Sequence, residues 1–385
     1  MRLHWIDVLK GIGIMLVVFA HHSLPTALDT YIFSFHMPLF FFISGFLFDF
    51  GKYAGSSADF VKGRFRSLIV PYFCFALITC LFYFLLDELY SPGVPDIKFF
   101  EHMILLENSI LHGTYHILYA LGPMVSYNPP LWFLSCLFVT ELMFYGLAKK
   151  YCREPGKLVF WIAVSGIIGY LYSVYVSFRI LWNVDVALTA IVFYGAGNLF
   201  RKITEPEKES GSGFSLRLGS GFTERFSRVE KYFPVVFILL NLLYLGYLLK
   251  FPTDDKVNMN VLKYGGSFFS YYFFAFSGIF AFVYLSKKIR SSKVLEYYGR
   301  NSLIILALHF PLKDVLTKIV AMILGVGSDY FYYNTSFALG LTILNLLFLI
   351  PVIFLINNYF PFLLGKKKTS EKSSRFRTYF RKPVN

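Results

Sequence analysis

Charged residues are scarce in this chain, and acidic residues are the scarcest of them. Only 16% of the 385 residues are charged, with 23 acidic against 37 basic, whereas 56% are hydrophobic. The mean hydropathy is +0.56, which is more apolar than a single water-soluble core of this length requires. No long polar segment suggests a separate soluble domain. The composition therefore predicts one integral membrane domain.

Cysteine is also rare, which bears on disulfides and metals. The four cysteines, at positions 74, 80, 136 and 152, form no CxxC pair, so neither a disulfide framework nor a zinc site is expected. His112 and His116 have the i, i+4 spacing of a metal-binding helix but lack the further ligands of a zinc protease. The sequence predicts no metal site.

Long hydrophobic runs, by contrast, are abundant. A helix needs roughly 20 mostly apolar residues to cross a bilayer. Ten segments meet this requirement, at 5–22, 31–49, 68–86, 131–148, 158–178, 181–200, 233–250, 267–286, 302–324 and 335–358. The stretch 87–130 is more polar and is expected to lie at, or dip into, the membrane interface. The sequence predicts an all-α polytopic membrane helix bundle of about ten transmembrane helices over residues 1–365, followed by a basic tail, 366–385.

The basic residues predict how this bundle is oriented. If both termini are cytoplasmic, 29 of the 37 lysines and arginines fall in inner segments, five fall in outer segments and three lie within spans. Cytoplasmic loops carry such an excess of basic residues, so we expect both ends of the chain in the cytoplasm. The net charge of +14 is thereby explained by topology, and nucleic acid is not an expected partner.

The first predicted helix contains DVLKGIGIMLVVFAHH, residues 7–22, with ionisable groups at both ends. Such groups cost several kcal/mol in a membrane unless they pair or face water, so they are candidate functional residues. Asp7 and Lys10 have the i, i+3 spacing of a pair on one helix face. His21 follows Lys10 by eleven residues, which returns it to within about 20° of the same face, roughly 16 Å along the helix. Lys10 and His21 are thus predicted to line one groove, whereas His22 points about 100° away.

Other ionisable residues are predicted near the two ends of this groove. The second span returns antiparallel and brings His36 near His21, although a hydrogen-bonded core histidine explains His36 equally well. Arg64 and Arg66 lie at the inner mouth of the third span, where they either set topology or bind an anionic ligand.

Three later spans also contain ionisable residues. Glu141 lies within the fourth span, whose outer start carries Trp132, an aromatic residue that could stack on a sugar ring as Tyr31 could. Asp185 and His309 are more simply interpreted as residues that form polar bonds between helices. A histidine in a membrane groove is a plausible general base. The residues alone are therefore compatible with acyl transfer from a thioester to a hydroxyl, and also with proton-coupled transport.

Five segments give the chain a resemblance that favours acyl transfer. They are WIDVLKGIGIMLVVFAHH, YIFSFHMPLFFFISGFLF, RFRSLIVPYF, PLWFLSCLF and YYGRNSLIILALHFPL, in this order. With these segments the chain resembles the acyltransferase 3 family of membrane O-acyltransferases, and it is most similar to the fucose 4-O-acetylase-like branch. That family is characterised by a basic residue, ten intervening residues and a histidine, which Lys10 and His21 match. Some members carry a fused C-terminal esterase-like domain, and this chain resembles the stand-alone type.

The resemblance implies an activity and a set of roles. His21 would deprotonate the acceptor hydroxyl, Lys10 would support the donor, and Arg64 and Arg66 would contribute to donor binding. The donor would be acetyl-CoA or another acyl-CoA, without a metal. The acceptor would be a carbohydrate or lipid-linked glycan of the cell envelope, and the enzyme would lie among the lipids of a bacterial plasma membrane.

These considerations define the candidate site residues. The candidate catalytic residues are Asp7, Lys10 and His21. The candidate donor-binding residues are Lys10, Arg64 and Arg66. The candidate substrate-binding residues are His36, Trp132 and Glu141. The alternative function is a glycan transporter or flippase with buried titratable residues.

Overall fold

Helices make up nearly all of the regular structure. The computed structural model describes residues 3–53, 56–90, 110–120, 128–151, 153–204, 232–251, 256–331 and 334–366. These ranges contain no β-strand and only one isolated bridge, between Asn258 and Lys263. The predicted all-α membrane bundle is confirmed.

Ten long helices and three short ones form in the described ranges. The long helices are α1 His4–Ala20, α2 Thr26–Leu47, α4 Val70–Tyr90, α6 Trp132–Tyr151, α7 Pro155–Tyr175, α8 Val184–Thr204, α9 Phe233–Lys250, α10 Phe268–Ile289, α12 Ser302–Leu324 and α13 Thr335–Tyr359. The short helices are α3 Ser57–Arg64, α5 Ile110–Tyr119 and α11 Lys293–Arg300.

Each predicted span corresponds to one long helix, with one clear difference at its boundary. Helix α2 begins at Thr26 rather than at residue 31. The additional turn contains Asp29, whose carboxylate lies 3.6 Å from Nζ of Lys256. This turn contains polar residues, so it lies outside the apolar run that marks the span in the sequence.

Eight helical segments in the described residues are long and apolar enough to cross a membrane. The other two long helices differ from these eight: α1 has 17 residues, and α12 carries Lys313, Asp314 and Lys318. The number of ten spans therefore stays a prediction. Of the predicted interfacial stretch, 91–109 and 121–127 lie outside the described residues. The tail from 367 onwards also lies outside them.

Two glycines let α2 and α8 cross with their backbones in contact. A Cβ atom added at Gly45 would lie 1.8 Å from the backbone oxygen of Tyr194, and one added at Gly197 would lie 1.9 Å from that of Phe42. Small residues at a membrane helix crossing permit such close packing. Helix α2 consequently lies in the core of the bundle, where residues such as Phe41 are fully buried.

A second glycine crossing joins α1 to the short helix α11. A Cβ atom at Gly11 would lie 2.1 Å from the oxygen of Leu295, and one at Gly299 would lie 1.9 Å from the oxygen of Asp7. Helix α11 therefore packs directly on the first half of α1. This contact brings Arg300, the last residue of α11, to the side chain of Asp7.

Candidate functional site

A cavity of about 400 Å³ lies at the end of the bundle where α1 begins, which we call the near end. Its lining includes Asp7, Lys10 and Ile14 of α1, together with Arg300 and Lys366. Three of these side chains are cationic and one is anionic. The near-end cavity therefore favours an anionic ligand.

Arg300 connects two carboxylates at the wall of this cavity. Its Nε lies 3.4 Å from Oδ2 of Asp7, and its guanidinium also pairs with Glu296, one turn earlier on α11. Hydrogen bonds from Ser291 and His4, aided by the nearby positive charge, lower the pKa of Glu296 from 4.5 to about 2. Glu296 is therefore ionised at neutral pH and keeps Arg300 paired. The sequence predicts an Asp7–Lys10 pair, and the structure adds Arg300 as an ion-pair partner of Asp7.

His21 follows the last residue of α1, at the opposite, far end of the bundle. Its Nδ1 lies 2.7 Å from the carbonyl oxygen of Val17, one turn earlier. A carbonyl oxygen can only accept a hydrogen bond, so Nδ1 carries the proton in this contact. In the neutral ring, Nε2 then has a lone pair and can accept a proton from a bound hydroxyl.

His309 of α12 lies next to His21, with 5.0 Å between the ring centroids. Its Nδ1 also faces a backbone oxygen one turn earlier, at 2.8 Å from Ile305. The Nε2 atom of His309 is buried and has no hydrogen-bond partner among the described residues. Phe310 places its ring 5.7 Å from that of His21. The far end thus has two neighbouring imidazoles, each with Nδ1 engaged by its own helix.

A polar cluster on α12 lies one turn beyond His309. Asp314 accepts a hydrogen bond of 2.8 Å from the hydroxyl of Tyr83, and Lys313 lies 3.1 Å from the same carboxylate. Nζ of Lys313 is also 4.1 Å from the ring centroid of Phe310. Phe310, which contacts His21, therefore also contacts a charged group at the far end, the ammonium of Lys313.

The predicted substrate-binding residues His36 and Trp132 are both buried. His36 donates from Nδ1 to the oxygen of Ile32 at 2.8 Å, and its ring lies 4.8 Å from that of Phe33, which in turn lies 6.0 Å from His21. Trp132 is 5% exposed. A sugar ring could reach Trp132 only after a neighbouring side chain moves.

Arg64 is paired with Glu141, which joins a predicted donor-binding residue to a predicted substrate-binding one. Nε of Arg64 lies 3.1 Å from Oε2 of Glu141. The guanidinium also faces the rings of Tyr53 and Phe60 at 5.8 and 5.5 Å. Glu141 is buried and Arg64 is partly exposed, and their ion pair connects α3 to α6.

Arg66 lies in a π-helical turn at Phe65–Ile69 and has a different partner. Its Nε donates to the oxygen of Gly365 at 2.6 Å. Gly365 has φ +65°, and a Cβ atom there would lie 1.8 Å from the backbone oxygen of Arg66. This hydrogen bond anchors the backbone next to Lys366, which lines the near-end cavity.

Metal chemistry has no candidate centre in the part of the chain that the structure describes. No group of three or more histidine, cysteine, aspartate or glutamate residues there could hold a metal ion. Cys74, Cys80 and Cys136 are free thiols, whereas Cys152 and the side chain of His112 lie outside the described residues. Asp185 forms an ion pair with Arg179 at 2.6 Å, so its interpretation as a structural polar bond agrees with its surroundings.

The sequence does not identify Arg300 and His309 as neighbours of the first helix. Arg300 lies just before the predicted ninth span and His309 lies within it, and both are almost 300 positions from Asp7 and His21. Local periodicity carries no information on such contacts. His21 and His309 each follow an apolar residue by four positions. This pattern is visible in the sequence, but it does not show that the two rings are in contact.

Comparison with known proteins gives one match. A family model described as an acyltransferase domain matches residues 3–364, which include the near-end cavity residues of α1, His21 and all thirteen described helices. No curated protein and no solved structure matches the chain. The match includes Lys10 and His21 in a membrane helix bundle. The chain therefore belongs to the acyltransferase 3 family and is a membrane acyltransferase.

Proposed function

We propose that the protein transfers an acetyl or other short acyl group from cytoplasmic acyl-CoA to a hydroxyl of a cell-envelope carbohydrate. The observation that carries this proposal is the hydrogen bond from Nδ1 of His21 to Val17, which leaves Nε2 as the proton acceptor. The family match supports acyl transfer, and the near-end cations supply an anion site. The likeness to the fucose 4-O-acetylase-like branch supports a sugar acceptor.

The reaction needs one proton acceptor that later becomes the donor. Nε2 of His21 takes the proton of the acceptor hydroxyl while its oxygen forms a bond to the thioester carbonyl carbon. The carbon–sulfur bond then breaks, and the CoA thiolate receives the proton from Nε2. Since Nδ1 is held by Val17, the same nitrogen performs both transfers. The products are an ester and CoA.

The other candidate residues take roles set by their positions. Lys10 lies roughly 16 Å along α1 from His21, so we assign it to the anionic part of the donor rather than to the reacting carbonyl. Asp7 acts as a positioning residue because it holds Arg300 at the cavity wall. Arg64 and Arg66 support the same end through Glu141 and Gly365.

These roles require the near end to face the cytoplasm, because acyl-CoA is made there. The excess of basic residues in the predicted inner segments supports this orientation. Both termini would then lie in the cytoplasm, and the helices would span a bacterial plasma membrane. The acceptor then approaches His21 from the far end. His36 and His309 would shape the acceptor side, and membrane lipids surround the apolar helices.

An assay of acyl-CoA consumption tests the proposed function. Purified full-length protein in lipid nanodiscs is incubated with labelled acetyl-CoA and a panel of neutral saccharides. We expect CoA release that depends on the saccharide and a labelled ester that mass spectrometry detects. Glycan movement across proteoliposomes without acetyl-CoA consumption would instead support a transporter or flippase.

Replacement of Lys10 is expected to weaken donor use more than turnover. A charge-assisted hydrogen bond contributes about 1.5–3 kcal/mol, so Lys10→Ala should lower kcat/KM for acetyl-CoA by roughly 10- to 100-fold, mainly through KM. Lys10→Arg keeps the charge and should retain most of the affinity. Steady-state kinetics with varied acetyl-CoA measure both effects, and an unchanged KM in Lys10→Ala would remove Lys10 from the donor site.

A further inference from the structure

A second cavity, of about 450 Å³, lies at the far end between α2, α9 and α10. We call it the tyrosine cavity because its lining is rich in aromatic and aliphatic hydroxyl groups. The hydroxyl-bearing residues of its wall include Thr30, Ser34, Tyr244, Tyr264, Ser270 and Tyr271. Its volume lies within the range of small-molecule sites. It belongs to neither the near-end cavity nor the His21 surroundings described above.

Two residues of this wall have a buried hydroxyl with no hydrogen-bond partner among the described residues. Thr30 and Tyr271 are 2% and 3% exposed, and neither Oγ1 of Thr30 nor the hydroxyl of Tyr271 is bonded within the described ranges. By contrast, the hydroxyl of Tyr264 donates to Thr189 at 3.0 Å, and that of Ser34 to Tyr31 at 2.7 Å. An unsatisfied buried polar group costs about 1–3 kcal/mol. Both oxygen atoms are shielded from the cavity, so a ligand that supplies hydroxyl partners would recover this cost after a small side-chain movement.

The tyrosine cavity carries no charge among its described lining residues. Three charged residues are next to lining residues in sequence: Asp29 and Lys256, which pair with each other at 3.6 Å, and Lys263, which is exposed. This neutrality contrasts with the three cations of the near-end cavity. An anionic ligand such as a nucleotide or a lipid phosphate would find no counter-charge in this lining, whereas a neutral polyol needs none.

Aromatic rings supply flat apolar surfaces beside the hydroxyls. Tyr244 stacks on Phe274 with 3.8 Å between centroids, and Tyr264 lies 4.7 Å from Tyr271. Tyr247 lines the cavity, and the residue as a whole is 58% exposed. A sugar ring presents an apolar C–H face and a rim of hydroxyls, and this lining provides a partner for each.

From this geometry we infer that the tyrosine cavity is a binding site for a neutral carbohydrate ring, separate from the reacting histidines. Ser34 and His36 are two positions apart on α2 and so point about 160° away from each other. The tyrosine cavity and the surroundings of His21 therefore lie on different faces of α2. The sugar held there would be a unit of the acceptor that is not itself acylated, and this assignment to the acceptor rests on the proposed function.

Saccharide binding to the full-length protein in nanodiscs tests the inference without turnover. The probes are N-acetylglucosamine and methyl glucoside, and saturation-transfer NMR gives their dissociation constants. The double variant Thr30→Val, Tyr271→Phe keeps the side-chain volumes but removes both hydroxyls, and should weaken binding by about tenfold. Tyr272→Phe is the matched control, because Tyr272 is the next residue of α10, is buried and does not line the cavity.

The outcomes separate this inference from the proposed function. Absent saccharide binding, or equal dissociation constants for the wild type and the double variant, overturns the carbohydrate site. The carbohydrate site is also overturned if a phospholipid co-purifies with the wild type, is not displaced by saccharides and is lost only in the double variant. A protein that binds saccharide through Thr30 and Tyr271 but consumes no acetyl-CoA contradicts the proposed function and leaves the site in place.

Discussion

His21→Ala is expected to lower acyl transfer by roughly 10²- to 10⁴-fold, the usual contribution of a positioned general base. The variant removes Nε2, the only ring nitrogen of His21 that is free of the hydrogen bond to Val17. Initial rates of CoA release with saturating acetyl-CoA and acceptor measure the effect. The loss should fall on kcat, since His21 does not line the near-end cavity.

His22→Ala provides the matched control for this prediction. His22 is the adjacent histidine and is 5% exposed, with its Nε2 buried and unpartnered among the described residues. We expect His22→Ala to retain most of the activity, because His22 lies two residues beyond the end of α1 and the predicted helix face of Lys10 and His21 does not include it. Full activity in His21→Ala, or an equal loss in both variants with intact folding, would refute the assignment of the base to His21.

Gly299→Ala is expected to destabilise the protein and to weaken donor binding. The new Cβ atom would meet the oxygen of Asp7 at 1.9 Å, so α11 must move away from α1. Alanine gains about 1 kcal/mol in helix propensity, but overpacking against a backbone atom typically costs about 1–3 kcal/mol or more. Arg300 is the next residue, so its pairing with Asp7 should be lost as well.

Thermal unfolding in nanodiscs and the KM for acetyl-CoA measure these two effects. Gly146→Ala serves as the control, because a Cβ atom at that position of α6 meets nothing within 4 Å. This control should melt at the wild-type temperature or slightly above it, with an unchanged KM. Equal melting temperatures for Gly299→Ala and Gly146→Ala would show that α1 and α11 pack less closely than described.

The helices were largely predictable because membrane spans are marked by composition alone. Every predicted span coincides with a helix, and the main difference is the start of α2, where a turn with polar residues, including Asp29, precedes the apolar run. The short helix α11 was not predicted as an element. Its eight residues are too few and too polar to resemble a span, and its position depends on glycine contacts with α1.

The sequence supports a prediction of the candidate site along one helix but not between helices. The spacing of Lys10 and His21 predicts that they share one face of the first helix, and this prediction follows from helix geometry. Their neighbours could not be inferred in this way. Arg300 reaches Asp7 through the packing of Gly299, and His309 reaches His21 through the contact between α1 and α12.

The two glycine crossings also limit how this protein can move. Helices α2 and α8 touch backbone to backbone at Gly45 and Gly197, as do α1 and α11 at Gly11 and Gly299. At these contacts no side chain lies between the two backbones, so no rotamer change could accommodate the sliding of one helix along the other. Each pair of helices therefore moves as a rigid body. Any path that opens between the near-end cavity and His21 must therefore form between the pairs. Lys10 and Arg300 belong to the same rigid body, and the donor would keep both cations throughout that motion.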